Sequence, residues 1–253
     1  MNCRFCLMVL LTGVMVVSGC ASTPPSHNGV DRRTALPNQA LPPLQKADVL
    51  VSQGKWVEAR KVLDDFIATK PTDWKARIET DTDLTVMYWD QFQFEHCYPI
   101  EIVRTKKSLH ATVGNSYAKA YYYLAYIAVE LNQFPVAMEA LDRGLALEPD
   151  SATLLAERGT LYQSAESPRE AVKNFRAATE LKSCVTDDVM GKAYRGLGVS
   201  LIDLGDLDQA EQALNTSLKY SPDNPNALHE LQYLVRMRAG KQKAQPLELN
   251  HPK

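Results

Sequence analysis

The fold is decided by residues 118–151, which read AKAYYYLAYIAVELNQFPVAMEALDRGLALEPDS. Apolar side chains recur every three or four positions in two runs, and this period is typical of amphipathic helices. Asn132 and Gln133 separate the two runs, and Pro149 follows the second. Since polar turn residues and proline end helices, the stretch predicts two antiparallel helices joined by a tight turn.

The same pattern returns twice further along the chain, in residues 152–185 and 191–224. Ala125 and Gly159 are 34 positions apart, and Gly198 follows Gly159 after 39 positions because five extra residues separate the second and third units. Small side chains at these positions let two helices approach each other closely. One hairpin cannot bury its apolar face alone, so we expect the hairpins to stack.

An earlier unit, at residues 46–73, shows the pattern mainly in its second half. Its small residue Ala59 lies 78 positions before Ala137, which is two periods of 34 residues plus ten. The extra ten positions predict a degenerate repeat with an insertion in residues 74–117. This stretch departs most from the pattern, and its helix boundaries stay open.

These units resemble the tetratricopeptide repeat, whose pattern places a bulky aromatic residue, a Leu-small pair, a Tyr, a small residue, a Phe and a Pro over about 34 residues. The resemblance covers residues 46–239 and implies an all-α fold, a right-handed α-solenoid of helical hairpins. Residues 226–239 then form the C-terminal capping helix that such arrays need. Residues 240–253 are interpreted as a loose tail.

The resemblance also implies a partner-binding groove, because the first helices of successive hairpins line the concave face of such arrays. The second, fifth, ninth and twelfth positions of each unit point into that groove. In this chain they are Lys119, Tyr122, Tyr126 and Val129; Thr153, Ala156, Thr160 and Gln163; and Lys192, Arg195, Val199 and Ile202.

Such a groove is partly aromatic, partly basic and partly aliphatic, which suits a protein or peptide client held by a few anchoring side chains. Tyr122 and Tyr126 lie four positions apart and share a helix face. They either contact the client or only pack against a neighbouring hairpin. Capture of a terminal carboxylate is not supported, because the ninth position carries Tyr, Thr and Val.

The first twenty residues have the layout of an export signal. Arg4 supplies a positive charge, residues 7–17 are mostly apolar, and Val17-Ser18-Gly19-Cys20 resembles the bacterial lipobox. This resemblance implies removal of residues 1–19 and lipidation of Cys20, and Ala21 after the cysteine favours the outer membrane. An ordinary signal peptide, cut near Ala21 and Ser22, is the alternative.

Residues 20–45 contain five prolines together with Ser, Thr and Asn. This mixture buries little apolar surface and favours extended conformations. We interpret the segment as a tether between the lipid anchor and the folded body.

The composition excludes one class of partner. The chain is 45% hydrophobic and 23% charged, as globular proteins are. Its formal charge of −2 becomes −3 without residues 1–19, which contain Arg4 and no acid. There is no strong positive field to attract nucleic acid, so we expect no nucleic-acid partner.

Sequence motifs for catalysis are lacking: there is no H-E-x-x-H, P-loop or G-x-G-x-x-G. His96 and Cys97 offer two metal ligands, but adjacent side chains rarely meet at one ion without others. Cys97 and Cys184, the two cysteines of the body, either form a disulfide in an exported protein or remain separate thiols. We therefore expect no catalytic residue, no metal and no cofactor.

Together these patterns predict a lipid-anchored scaffold or adaptor of the bacterial envelope that holds another protein. Assembly of a pilus or secretion machine, outer-membrane protein insertion and recruitment of cell-wall enzymes are the candidate roles. One alternative is a structural protein that assembles with copies of itself. Another is an envelope enzyme whose site lies in residues 74–117.

Overall fold

The structure, a computed structural model, describes residues 41–181 and 183–240. The predicted signal peptide, Cys20, the tether up to residue 40 and the tail from residue 241 lie outside the described residues. The described elements are α1 (Pro43–Ser52), α2 (Trp56–Ala68), β1 (Arg77–Glu79), β2 (Asp83–Tyr88), α3 (Gln91–Arg104), β3 (Ser108–Val113), α4 (Tyr117–Glu130), α5 (Phe134–Leu147), α6 (Ala152–Ser164), α7 (Pro168–Thr179), α8 (Asp187–Asp203), α9 (Leu207–Tyr220) and α10 (Pro225–Arg238).

Most of the helices pack as antiparallel hairpins. Helix α1 packs with α2, α4 with α5, α6 with α7, and α8 with α9, while α10 covers the end of the array against α9. Neighbouring hairpins contact each other through α2 and α4, α5 and α6, and α7 and α8. The predicted fold class, an all-α solenoid of helical hairpins with a C-terminal capping helix, is confirmed.

The turns inside the hairpins use the same backbone conformation. Gly54, Asn132, Glu166 and Gly205 all have positive φ, at 69°, 56°, 51° and 79°. The left-handed region strains most side chains and is natural for glycine. Each of these residues follows the first helix of its hairpin, so one turn geometry is repeated along the array.

Phe175 shows how small residues bring the hairpins together. Its side chain is 1% exposed and lies against Gly159 of α6 in its own hairpin and Gly196 of α8 in the next. A Cβ at Gly196 would fall only 2.3 Å from the Phe175 ring. The ring therefore fills space that exists because both facing positions lack a side chain.

The prediction of a degenerate helical repeat in residues 74–117 is wrong. This stretch forms a three-stranded sheet in the order β1-β2-β3, with β2 antiparallel to β1 and parallel to β3. Helix α3 makes the crossover that two parallel strands require. In β2, Leu84 and Tyr88 are buried while residues between them are only half-buried. Burial of residues an even number of positions apart is typical of a strand, whose side chains alternate between two faces. The spacing of the repeats alone does not reveal this pattern.

Two predicted boundaries also shift. Helix α1 begins at Pro43, so the last three residues of the predicted 20–45 tether are helical; proline is well suited to the first turn because it has no N–H to satisfy there. Helix α8 begins at Asp187, so most of the five-residue extension before unit 191–224 lengthens this helix to 17 residues. In the described part of the chain, no helix has the length and apolar character needed to span a membrane.

Candidate partner-binding cavity

A cavity of about 810 Å³ lies between the first helices of the repeats and the α/β insert, which comprises residues 74–117. Helices α4, α6 and α8 supply one wall, and strand β2 with the start of α3 supplies the other. Six of the predicted groove residues line it. The six are Lys119, Tyr122, Thr153, Ala156, Lys192 and Arg195.

These residues are the second and fifth positions of their units. The cavity therefore lies at the amino-terminal end of each first helix, where the insert faces the repeats. The remaining predicted groove residues do not line it; they are Tyr126, Val129, Thr160, Gln163, Val199 and Ile202. They occupy the ninth and twelfth positions, about one to three turns further along the same helices.

Several of these outer residues hold the helices together instead. The Tyr126 ring lies edge-on to the Trp56 ring of the first hairpin, with 6.2 Å between centroids. Gln163 donates from Nε2 to the Gly196 carbonyl at 3.1 Å, which ties α6 to α8. Ile202 is buried in the core. For Tyr126, packing against a neighbouring hairpin is thus the observed arrangement.

The insert is fastened to the repeats by hydrogen bonds of two side chains. The Trp89 indole N–H donates to a carboxylate oxygen of Glu148, just after α5, at 2.8 Å. Lys119 Nζ of α4 donates to Asp90 Oδ2 at 2.9 Å. Trp89 is buried, and its ring lies 5.7 Å from that of Tyr122. The insert therefore covers one end of the concave face.

A disulfide adds a covalent connection between the same two parts. Cys97 of α3 is joined to Cys184, which lies in the segment between α7 and α8, and their Cα atoms are 5.5 Å apart. This separation is ordinary for a disulfide. The bridge spans 87 positions of sequence, so the folded arrangement of insert and repeats brings the two cysteines together.

Three ion pairs of described residues lie in the wall of the cavity, one of them between Lys119 and Asp90. Lys192 of α8 donates to Glu157 of α6 at 2.6 Å, and Arg77 lies 3.5 Å from the buried Glu101 carboxylate. Arg195 differs, because no carboxylate of the described residues lies within 4.0 Å of its guanidinium. Burial lowers the pKa of Arg195 below its usual value. An anionic group entering the cavity would therefore find a poorly solvated cation there, which the Glu230 carboxylate stabilises only from beyond ion-pair distance.

Glu148 is an acid whose charged form is disfavoured by burial. Burial raises the pKa of Glu148 to about 7, although the hydrogen bond from Trp89 acts in the other direction. The contact that fastens the insert to the α5–α6 connection therefore involves a carboxyl group that changes charge near neutral pH.

The sequence did not identify the insert side of the cavity. Trp74, Tyr88 and Trp89 line it together with Met87 and Phe92. The concentration of aromatic residues in this stretch was the available signal, since aromatic side chains that match no repeat position must pack elsewhere. Their position over α4, α6 and α8 depends on contacts between distant parts of the chain.

Comparison with known proteins identifies the helical array. Residues 156–238 match the family model described as tetratricopeptide repeat. These residues carry tetratricopeptide repeats. Two solved structures share this fold over most of the chain. One is PilW, described as a widely conserved type IV pilus biogenesis factor, which is 20% identical with a TM-score of 0.54; the match covers 79% of this chain and 69% of PilW.

The other solved structure is pilF of Pseudomonas aeruginosa, which is 15% identical with a TM-score of 0.53 and is matched over 78% of this chain and 68% of its own. Among curated proteins, bacteriophage adsorption protein A of Escherichia coli (strain K12) is 30% identical over 99 residues. That match covers 39% of this chain but only 9% of the Escherichia coli protein. The chain therefore spans only a small part of the length of this curated relative.

Proposed function

We propose that this protein is a lipid-anchored scaffold or adaptor of the bacterial envelope, and that its cavity holds a segment of another protein. The role would be in assembly of an envelope or surface machine: a pilus or secretion system, outer-membrane protein assembly or recruitment of a cell-wall enzyme. The cavity between the repeats and the insert is the observation that carries this proposal.

The cavity has the properties of a site for a short peptide segment. Its volume of about 810 Å³ falls within the range of about 300–1,000 Å³ typical of ligand sites. Aromatic side chains from the insert face polar and charged side chains from the repeats. Such a surface can bury an apolar anchor of the client and also orient its polar groups. Arg195 favours an acidic group at the α8 wall.

The envelope location rests on two independent arguments. The first is the export signal and lipobox predicted at residues 1–20, with Cys20 as the lipidated residue. The second is the disulfide between Cys97 and Cys184, because disulfides persist in oxidising compartments and are rare in the bacterial cytosol. The likeness to PilW and pilF is a likeness of fold, so we do not choose among the candidate machines from it.

The proposal is tested by photo-crosslinking in intact cells. A photoreactive amino acid replaces Thr153 in the cavity, and a matched chain carries it at Lys173, whose side chain is 77% exposed on α7. We expect Thr153 to yield one main adduct with another protein, identified by mass spectrometry. Adding Arg195→Glu should reduce that adduct. Adding Glu139→Lys, at an exposed position of α5, should not.

The outcomes separate the candidate functions. An adduct formed equally from positions 153 and 173, or one insensitive to Arg195→Glu, would refute the cavity as the client site. An adduct between two copies of this chain would favour the self-assembling structural protein instead. Light scattering on the chain in solution checks that alternative, since self-assembly requires a mass above that of the monomer.

A further inference from the structure

Three side chains with metal-binding atoms meet at the wall of the cavity, which Cys97 and Cys184 line. His96 and Cys97 lie on α3, and Cys184 lies between α7 and α8. One ligand atom from each lies within 4.8 Å of the other two. His96 is half-buried and makes no hydrogen bond to another residue in the described part of the chain. His96 and Cys97 are adjacent in sequence and offer only two ligands, and Cys184 supplies the third.

Zinc requires a spacing that the three ligand atoms can reach only after the disulfide opens. In a tetrahedral site with Zn–S bonds of about 2.3 Å and Zn–N bonds of about 2.0–2.1 Å, neighbouring ligand atoms are about 3.5–3.8 Å apart. All three atoms lie within 4.8 Å of one another, and the disulfide bond holds the two sulfurs closer than zinc requires, so the sulfurs must separate to surround one ion. Thiolate and imidazole are ligands that favour zinc over magnesium or calcium. Two thiolates also balance the charge of Zn²⁺ when the imidazole is neutral.

The oxidation state of the cysteines decides whether this site exists. Thiolates bind zinc, whereas the two sulfurs of a disulfide are bonded to each other and carry no such charge. Opening the disulfide does not release the insert from the repeats, because the contacts of Trp89 with Glu148 and of Lys119 with Asp90 are independent of it. The reduced cysteines are therefore kept near each other and near His96.

We propose that His96, Cys97 and Cys184 form a zinc site when a dithiol reductant opens the disulfide. One thiolate of the reductant attacks a sulfur of the disulfide, and the S–S electron pair leaves with the other sulfur, which takes a proton. The second thiol of the reductant then resolves the mixed disulfide, so the reductant is oxidised and both cysteines become thiols. Zn²⁺ displaces one proton from each thiol, and a fourth position remains for water or another ligand.

The test uses Co²⁺ as a spectroscopic probe for the zinc site in the purified full chain. One sample is kept oxidised, and another is reduced with dithiothreitol and freed of it by anaerobic desalting. A reduced Cys97→Ser/Cys184→Ser variant measures binding by the remaining cysteines. We expect reduced wild-type protein to bind one more Co²⁺ than this variant, with thiolate-to-cobalt charge-transfer absorption that Zn²⁺ abolishes. The oxidised protein should lack that extra ion.

His96→Ala tests the third ligand. Outer-shell substitutions already weaken metal sites by about 10–100-fold, so loss of a direct ligand should weaken binding by at least about 10-fold. Circular dichroism confirms that the variant is folded, and the comparison of oxidised with reduced wild type requires no variant. The proposal is overturned if reduced wild type binds no more metal than the double-serine chain, or if His96→Ala leaves the affinity unchanged.

Discussion

Replacing Gly196 by alanine tests whether the Phe175 ring sets the distance between successive hairpins. A Cβ at position 196 would lie 2.3 Å from Cζ and 2.4 Å from Cε1 of Phe175. The ring is 1% exposed, and Gly159 faces it so closely that a Cβ there would lie 2.9 Å away. The ring has no free space to move into, so α8 must shift by roughly 1 Å to restore ordinary contact distances.

The expected change in the free energy of unfolding follows from two opposing effects. Overpacking a closely packed core usually costs about 1–3 kcal/mol, whereas exchanging glycine for alanine inside a helix gains about 0.8–1.0 kcal/mol. Gly191→Ala is the matched control in the same helix, because its Cβ would meet the nearest side-chain atoms, on Ser221 and Tyr220, at an ordinary 3.5 Å. We therefore expect Gly196→Ala to be about 1–3 kcal/mol less stable than Gly191→Ala.

Urea unfolding followed by circular dichroism gives the free energy of unfolding of each variant by linear extrapolation. Phe175→Leu provides a second check, because a smaller side chain leaves room for the new methyl group. The double variant should lose at least about 0.5 kcal/mol less than the sum of the single losses. Equal stability of Gly196→Ala and Gly191→Ala, or strict additivity with Phe175→Leu, would refute the packing argument.

Three further predictions concern the cavity and the insert. Because the pKa of Glu148 is raised from 4.5 to about 7, the folded protein binds this proton more tightly than the unfolded chain does, and wild-type stability rises as pH falls between these values. Glu148→Gln should therefore be more stable than wild type in urea at pH 8, by up to about 3 kcal/mol, and no different well below pH 4.5. Equal stability at pH 8 would contradict this. Cys97→Ser/Cys184→Ser removes a bridge spanning 87 positions and should cost about 2–4 kcal/mol in the same assay, whereas an unchanged midpoint would mean that the bridge does not restrict the unfolded chain. Tyr88 has a buried hydroxyl without a hydrogen-bond partner among the described residues, so Tyr88→Phe should be neutral or stabilising. Tyr123→Phe removes a 2.9 Å hydrogen bond to Asp48 and should cost about 1 kcal/mol. If thermal unfolding shows Tyr88→Phe to be the less stable variant, the Tyr88 hydroxyl is not unpaired.

The helical hairpins were predictable because their signals are local. The apolar period, the turn at Asn132 and the 34-residue interval between Ala125 and Gly159 all lie within one or two units. Small residues at the close-contact positions have the expected role: a Cβ at Gly198 would lie 2.6 Å from Leu214 of the facing helix. Stacking then follows from the need of each hairpin to bury its remaining apolar face.

The insert was not predictable from the same signals. Its strand β2 has a period of two, but β1 has only three residues and β3 pairs in parallel through a crossover helix. A short turn at residues 80–82 joins β1 to β2, but α3 separates β3 from β2, so the pairing of β2 with β3 depends on contacts between distant positions. The disulfide has the same character, because the cysteine spacing carries no information about the distance between Cys97 and Cys184 in the fold.

The insert also explains why only part of the predicted groove became a cavity. Repeat periodicity treats the four concave positions of each unit as equivalent, but the insert lies over the second and fifth positions alone. Asp90 neutralises Lys119, and Trp89 covers Tyr122, so two predicted client contacts are used to fasten the insert. Arg195 remains as a cavity cation with no carboxylate of the described residues within 4.0 Å. Client selection should therefore depend on α8 more than on the tyrosine-rich α4, which is the dependence that Arg195→Glu measures in the crosslinking experiment.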